Sequence, residues 1–313
     1  MIATNVRVVL GLSKAVMHSF VKSKVYKGQF PSGVIVAVKV LKNNDVVEEI
    51  FMAEVSTISK AFHRNLVKLY GYCFERKMKA LVYEYMENGS LDTILYESQH
   101  SNIEWEKLYG IALETAKGLN YLHDGLAEQI IHYDIKAGNV LLNENFSTKI
   151  TDFGLAKLMN RDVSRVALTR IRGTVGYNAP ETWIPGSQVS FKCDVFSFGM
   201  MLFEILGKRS NGVEENWFPK QVWEQFNNGK LEAFFTQFGI IDKDKEKANI
   251  LSKVAFWCAQ YSPELRPSMM DVVLMLEKKK EVEMPPNPFL FENFHISSRL
   301  LFENFPISSC HYH

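Results

Sequence analysis

Asp134, Asn139 and Asp152 are the residues whose types and spacing suggest chemistry most directly. In "IIHYDIKAGNVLL", residues 130–142, Asp134 precedes Asn139 by five positions, with Lys136 between them. Asp152 follows in "ITDFGLAK", 18 residues past Asp134. A carboxylate at the first position can accept a hydroxyl proton, while an amide oxygen and a second carboxylate hold a divalent cation against phosphate oxygens. Mg²⁺ suits such a pair, because it takes a few hard oxygen ligands and leaves the rest of its shell to water and phosphate. A lone "DFG" arises often by chance. Both blocks at this separation are far more specific.

Such a site needs a frame. Residues 34–41, "VIVAVKVL", are β-branched and flanked by "PSG" and "KNND", which predicts a strand. Residues 45–60 set Val47, Ile50, Phe51, Glu54, Val55 and Ile58 at helical spacing. "NLVKLYGYCF" and "KALVYEYM" read as two more strands, and Gly28 is expected to turn the chain into the strand at 34–41. The front of the chain is therefore a small, mainly antiparallel sheet with one long helix. After "ENGSLD" the pattern changes. "WEKLYGIALETAKGLNYLHDG" is an amphipathic helix ended by Gly125, and "NVLLN" and "TKITDF" are short strands. Beyond Pro185 the apolar segments are helical, at 195–206, about 217–227, 246–259 and 268–280. A β-rich front and an α-rich back joined near "YEYMENG" predict two lobes with a cleft between them.

Composition sets the outer bounds. The 313 residues are 47% apolar and 23% charged, as expected of an ordinary globular protein with a substantial core. A net charge of +1 gives no global attraction to nucleic acid. The four cysteines have no CxxC spacing, which favours a reduced, intracellular chain. The longest apolar run, residues 195–206, is shorter than the ~20 residues of a membrane span, so a buried helix is expected and no anchor within this chain. Near the end, "LFENFHISS" at 290–298 returns as "LFENFPISS" at 301–309, too few copies for a solenoid.

With these motifs in order, the chain resembles the protein kinase family over residues ~25 to ~288. "VAVK" holds the strand lysine, Lys39, and Glu54 is its ion-pair partner. "GTVGYNAPE" at 173–181 looks like the end of an activation segment, "KCDVFSFG" supplies Asp194, and "PELRP" supplies Arg266, the expected partner of Glu181. "HRNLVKLYGYCFE", "ALVYEYMENGSLD", "DFGLAKL" and "FWCAQYSPELRPSM" are closer to plant receptor-like kinases, serine/threonine kinases of the same broad group as Pelle and the interleukin-receptor-associated kinases. "HYDIK" and "VEMPPNPFL" resemble the leaf-rust-kinase-like and thaumatin-like receptor kinase branch.

That resemblance implies an α+β, two-lobed protein kinase fold with a small β-rich N-lobe and a larger α-helical C-lobe. The expected divisions are an atypical start at 1–24, the N-lobe at 25–86, the C-lobe at 87–284 and a tail at 285–313. The cofactors implied are ATP and Mg²⁺. Asp134 would be the catalytic base, with Lys136 neutralising charge on the phosphoryl group. Asn139 and Asp152 would hold the metal, and Lys39, set by Glu54, the α- and β-phosphates. Val25, Ala37 and Leu141 would sandwich the adenine, which the backbone of the Glu84–Met86 hinge would bind, next to the gatekeeper Tyr83. His132, Ile58 and Phe153 resemble members of a hydrophobic spine. Partners would be protein substrates, with no nucleic acid. Receptor association at the cytoplasmic face of the plasma membrane, or a cytoplasmic location, is compatible with this reading, as is dimerisation.

Two departures stand out. "HYD" has Tyr133 where most kinases carry an arginine that receives a phosphorylated activation-segment residue; Thr169 would be such a site here. Counting back from Val25, the family's three loop glycines fall at His18, Phe20 and Ser23. Glycine serves there because it lets the backbone approach the phosphates closely. Three readings stay open: a start that replaces the natural loop, an enzyme slowed by the loss, or a non-catalytic pseudokinase that acts by docking. Retention of Lys39, Glu54, Asp134, Asn139 and Asp152 favours activity.

Overall fold

A computed structural model describes residues 23–42, 47–76, 78–97, 103–163, 165–168, 172–212 and 217–290, and the backbone of 7–8. His18, Phe20, Thr169 and the repeat beyond Leu290 lie outside the described residues. The chain falls into two compact units that divide after Val163.

The first unit is built on a five-stranded antiparallel sheet in the order β1-β2-β3-β5-β4. Its strands are β1 (Arg7–Val8), β2 (Ser23–Gln29), β3 (Ile35–Leu41), β4 (Leu69–Phe74) and β5 (Lys79–Glu84). Side chains alternate along each strand, and directly opposed residues share a face. Val36, Val38 and Ala80 pack on one face with Tyr26, Val40 and Val82. The register then puts Val25, Ala37, Lys39, Leu81 and Tyr83 together on the other. Gly28 does not turn the chain: it lies within β2, opposite Val36. The turn falls at Phe30–Val34, closed by Phe30 N–H to the Val34 carbonyl at 2.9 Å, with Gly33 at φ +88°. The left-handed backbone that glycine tolerates best is needed there rather than at Gly28.

Helix α1 (Val47–Ile58) buries Val47, Ile50, Phe51, Glu54 and Ile58, one stripe at the predicted spacing. A short α2 (Leu91–Tyr96) precedes α3 (Trp105–Asp124), whose apolar stripe is buried from Trp105 to Leu122. Gly125 ends α3 in an ordinary right-handed conformation at φ −82°. A Cβ there would lie 2.5 Å from Tyr121 Cδ2, so close approach, and not a positive φ, calls for glycine. Among its described residues the unit also holds two small ladders: β7 (Val140–Leu142) with β8 (Thr148–Ile150), and β6 (Glu128–Ile131) with β9 (Lys157–Asn160).

Among the described residues the second unit is mainly helical, with a two-residue ladder of β10 (Val166–Ala167) and β11 (Gln188–Val189). Helix α4 (Lys192–Gly207) is buried at every position from Cys193 to Gly207. That accounts for an apolar run without amphipathic period: the helix is covered on all sides. α7 (Lys245–Cys258) packs against it so closely that a Cβ on Gly199 would meet Cys258 Cβ at 2.8 Å. α5 (Phe218–Asn227) and α6 (Leu231–Thr236) follow α4 in sequence, and α8 (Met269–Leu276) packs on α7. The helix expected to run to 280 stops at Leu276, and Lys278 takes a left-handed φ of +59°.

Candidate active site

Lys39 stands mid-β3, opposite Val25 on β2 and Leu81 on β5. Its ammonium reaches three carboxylate oxygens: Glu54 Oε1 at 3.1 Å, Glu54 Oε2 at 3.0 Å and Asp152 Oδ1 at 2.7 Å. Glu54 comes from the buried stripe of α1 and is itself wholly buried. Asp152 follows β8, which the Asn65 carbonyl holds by accepting the Ile150 N–H at 2.9 Å. Its backbone is left-handed at φ +65° and ψ +68°, strain that an aspartate tolerates better than most residues and that clusters at working sites.

The electrostatics follow from one cation between two anions. Burial pulls the Lys39 ammonium down, but Asp152 and Glu54 outweigh it and hold the group well above the ordinary lysine range. Burial would raise the Asp152 carboxyl, yet Lys39 outweighs it and holds the group low, with His132 and Lys136 adding to the effect. Glu54 goes the other way. Burial raises it, and the neighbouring Asp152 charge works against the relief that Lys39 provides. The Tyr83 hydroxyl, on β5, also donates to Glu54 Oε1. Burial and that carboxylate push the Tyr83 phenol well above its usual range.

The second cluster lies on one short loop. Lys136 Nζ sits 3.0 Å from Asp134 Oδ2. Asn139, at the end of a single 3₁₀ turn (Ala137–Asn139), donates through Nδ2 to Asp134 Oδ2 at 2.9 Å and to the Asp134 carbonyl at 2.8 Å. With Nδ2 so engaged, Oδ1 is the Asn139 atom suited to a metal. Tyr133, just before Asp134, is buried and left-handed at φ +65°. His132 is also buried. Its Nδ1 accepts the Asp134 N–H at 3.2 Å, and its ring meets Phe153 edge-on at 4.9 Å. These contacts give His132 a packed role. The loop is tied to the approach of Asp152 by Thr151 N–H to the Asn139 carbonyl at 3.0 Å.

The protein tyrosine and serine/threonine kinase family matches residues 15–276, which take in both clusters. This chain is a member of the protein kinase family. It is 44% identical over 279 residues to the rust resistance kinase Lr10 of Triticum aestivum, covering 85% of this chain and 43% of that protein. It is 41% identical over 278 residues to the PR5-like receptor kinase of Arabidopsis thaliana, covering 85% and 42%. A third relative is the Arabidopsis G-type lectin S-receptor-like serine/threonine-protein kinase SD2-2, 42% identical over 282 residues, at 86% and 35% coverage. The chain spans less than half the length of these curated relatives. Among the described residues, no helix is long and apolar enough to cross a membrane.

The kinase family generally uses ATP and Mg²⁺, and the donor set fits that use. Among the described residues no three His, Cys, Asp or Glu side chains converge on a metal position. A carboxylate and an amide oxygen instead suit a small hard cation that completes its shell with phosphate and water. The hinge side is arranged compatibly. Glu84 turns its carboxylate to the Lys68 N–H at 2.6 Å and to Lys149 Nζ at 3.0 Å. Met86 is buried, whereas Val25, Ala37 and Leu141 are only half-buried. Leu141 is placed by the pairing of β7 with the segment after the hinge, through Asn88 N–H to the Leu142 carbonyl and Leu142 N–H to the Gly89 carbonyl.

Two contributors were not legible as such. Tyr83 is legible as the residue expected at the gatekeeper position, but its bond to Glu54 is not. Gly154 reads as part of "DFG", yet its work is spatial: a Cβ would meet Ile50 Cγ2 at 2.7 Å, so its bareness lets α1 sit close enough for Glu54 to reach Lys39. In the second unit, Arg266 meets Glu181 as the motifs imply, with Nη1 to Oε1 at 2.7 Å and Nη2 to Oε2 at 2.9 Å. Asp194 is wholly buried in the first turn of α4.

Proposed function

We propose that this kinase domain transfers the γ-phosphoryl group of Mg·ATP to serine or threonine hydroxyls of proteins. The observation that carries the proposal is Lys39 held within 3.1 Å of both Glu54 and Asp152, with Asp134, Lys136 and Asn139 gathered on one loop. A binding module has no need of this set. Asp134 orients the acceptor hydroxyl and takes its proton, and Lys136 swings from Asp134 to the charge on the moving phosphoryl. Asp152 and the Asn139 amide oxygen would hold Mg²⁺, which would supply positive charge against the phosphate oxygens. Lys39 exchanges its contact with Asp152 for the α- and β-phosphates while Glu54 keeps it in place. Val25, Ala37 and Leu141 enclose the adenine at the Glu84–Met86 hinge. Serine/threonine preference is carried over from the name of the SD2-2 relative, and association with a membrane receptor from the longer receptor kinases.

A second reading rests on one specific feature: His18, Phe20 and Ser23 stand where the family's loop glycines belong. On that reading the chain is a nucleotide-tolerant pseudokinase that signals by docking. Mg·ATP binding and autophosphorylation of the wild type, K39A and D152A separate the two. Wild-type turnover well above both variants is expected; turnover equal to theirs leaves only the scaffold.

A further inference from the structure

We infer that Lys27 and Tyr85 form a clasp that holds β2 over the base-binding end of the site, making both positioning residues for ATP; this rests on the kinase reading above. Lys27 Nζ lies 4.5 Å from the centre of the Tyr85 ring, within the range of a cation–π contact. Lys27 opposes Ala37 on β3, and Ala37 opposes Tyr83 on β5. The lysine therefore shares the face of Val25, Ala37 and Lys39, two residues along β2 from Val25. Tyr85 stands between Glu84 and Met86, inside the hinge segment whose backbone is proposed to take the adenine. The contact thus joins the strand above the base to the segment beside it.

The sheet gives this tie something to do. Among the described residues, β1 pairs with β2 only at Gly28 and Gln29. Ser23 to Lys27 are bonded to β3 along one edge. Val25 sits in that stretch, opposite Lys39 and two residues from Lys27. The contact at Lys27 ties the stretch to the hinge segment as well as to β3, and so lowers the cost of holding Val25 down on a base. A nucleotide that binds only the lowered position gains affinity from the clasp, while the transfer step at Asp134 does not depend on it.

The test uses the full chain and five variants: K27A, Y85L, the double variant, K27R and Y85F. Calorimetry with Mg·ATP gives Kd, and initial rates of autophosphorylation give KM for ATP and kcat. K27A and Y85L should each raise Kd and KM about three-fold, the size of an exposed cation–π contact, with kcat within about two-fold of wild type. The double variant should be no worse than either single, and K27R and Y85F, which keep a cation and a ring, should stay near wild type. Unchanged Kd in K27A, or additive losses in the double variant, would overturn the clasp while leaving the kinase reading intact. A K27A protein that unfolds several degrees lower yet binds ATP normally would assign Lys27 to stability alone, also overturning it. Absence of Mg·ATP binding by the wild type itself would sink the kinase reading, and the clasp with it.

Discussion

The Tyr83 hydroxyl donates to Oε1 of Glu54, the same carboxylate that receives the Lys39 ammonium. Glu54 therefore answers to β3 through Lys39 and to β5 through Tyr83, and α1 is drawn to the sheet from two strands. Tyr83→Phe keeps the ring and removes the hydroxyl, leaving a buried carboxylate short of one donor. The cost should be about 1–3 kcal/mol, seen as a lower unfolding midpoint together with weaker autophosphorylation. Full activity in Y83F would show that Lys39 alone holds α1.

Gly154→Ala sets a Cβ 2.7 Å from Ile50 Cγ2. The cheapest relief is an outward shift of α1, which carries Glu54 away from Lys39. Overpacking of this kind costs about 1–3 kcal/mol, and activity should fall further than stability does. Parallel assays of phosphorylation and thermal unfolding check this, and Ile50→Ala in the G154A background should restore part of the activity.

Tyr133 has no charge with which to neutralise a phosphate. Activity should therefore survive phosphatase treatment, and T169A should match the wild type within about two-fold. Loss of activity in both cases would contradict this.

Arg266 is wholly buried, and its five N–H groups have acceptors in Glu181, Gln260, Tyr261 and Lys192. Arg266→Ala leaves Glu181 without its partner and should cost about 3–5 kcal/mol, read from denaturant unfolding. Arg266→Lys should not rescue it, since an ammonium cannot reproduce the planar fork.

Stability should depend on acid pH through Asp152. Its carboxyl lies below its ordinary 3.8 in the folded chain, where Lys39 outweighs the burial that would raise it. A depressed carboxyl stabilises fully above the unfolded value and loses that contribution as pH falls through the folded one. The gap in unfolding free energy between wild type and D152N should thus hold steady from about pH 8 to about pH 5 and narrow below about pH 4. A gap that widened on acidification would refute the assignment.

Local pattern was enough for the longer elements. A β-branched run between turn residues placed β3, and the 3.6-residue stripe placed α1 and α3, since each signal comes from a single element meeting one core. The residues of the candidate site were also legible, because Asp134, Lys136 and Asn139 sit on one loop and Asp152 within one short motif. Strands β6, β9, β10 and β11 were not legible: two to four residues are too few to show a period, and their partners lie far along the chain. Gly28 misled for a related reason, because a glycine inside a strand and one in a turn look alike until pairing assigns them.

By itself, then, the sequence marked out the groups proposed to accept a proton, hold Mg²⁺ and meet phosphate. Only the tertiary structure decided how they are held. Lys39 and Asp152 are 113 positions apart and meet at 2.7 Å, and Tyr83 reaches Glu54 across 29. Gly154 matters because α1 passes over it. Such contacts leave no periodic trace, because packing between distant elements, rather than neighbouring residues along the chain, brings those atoms together.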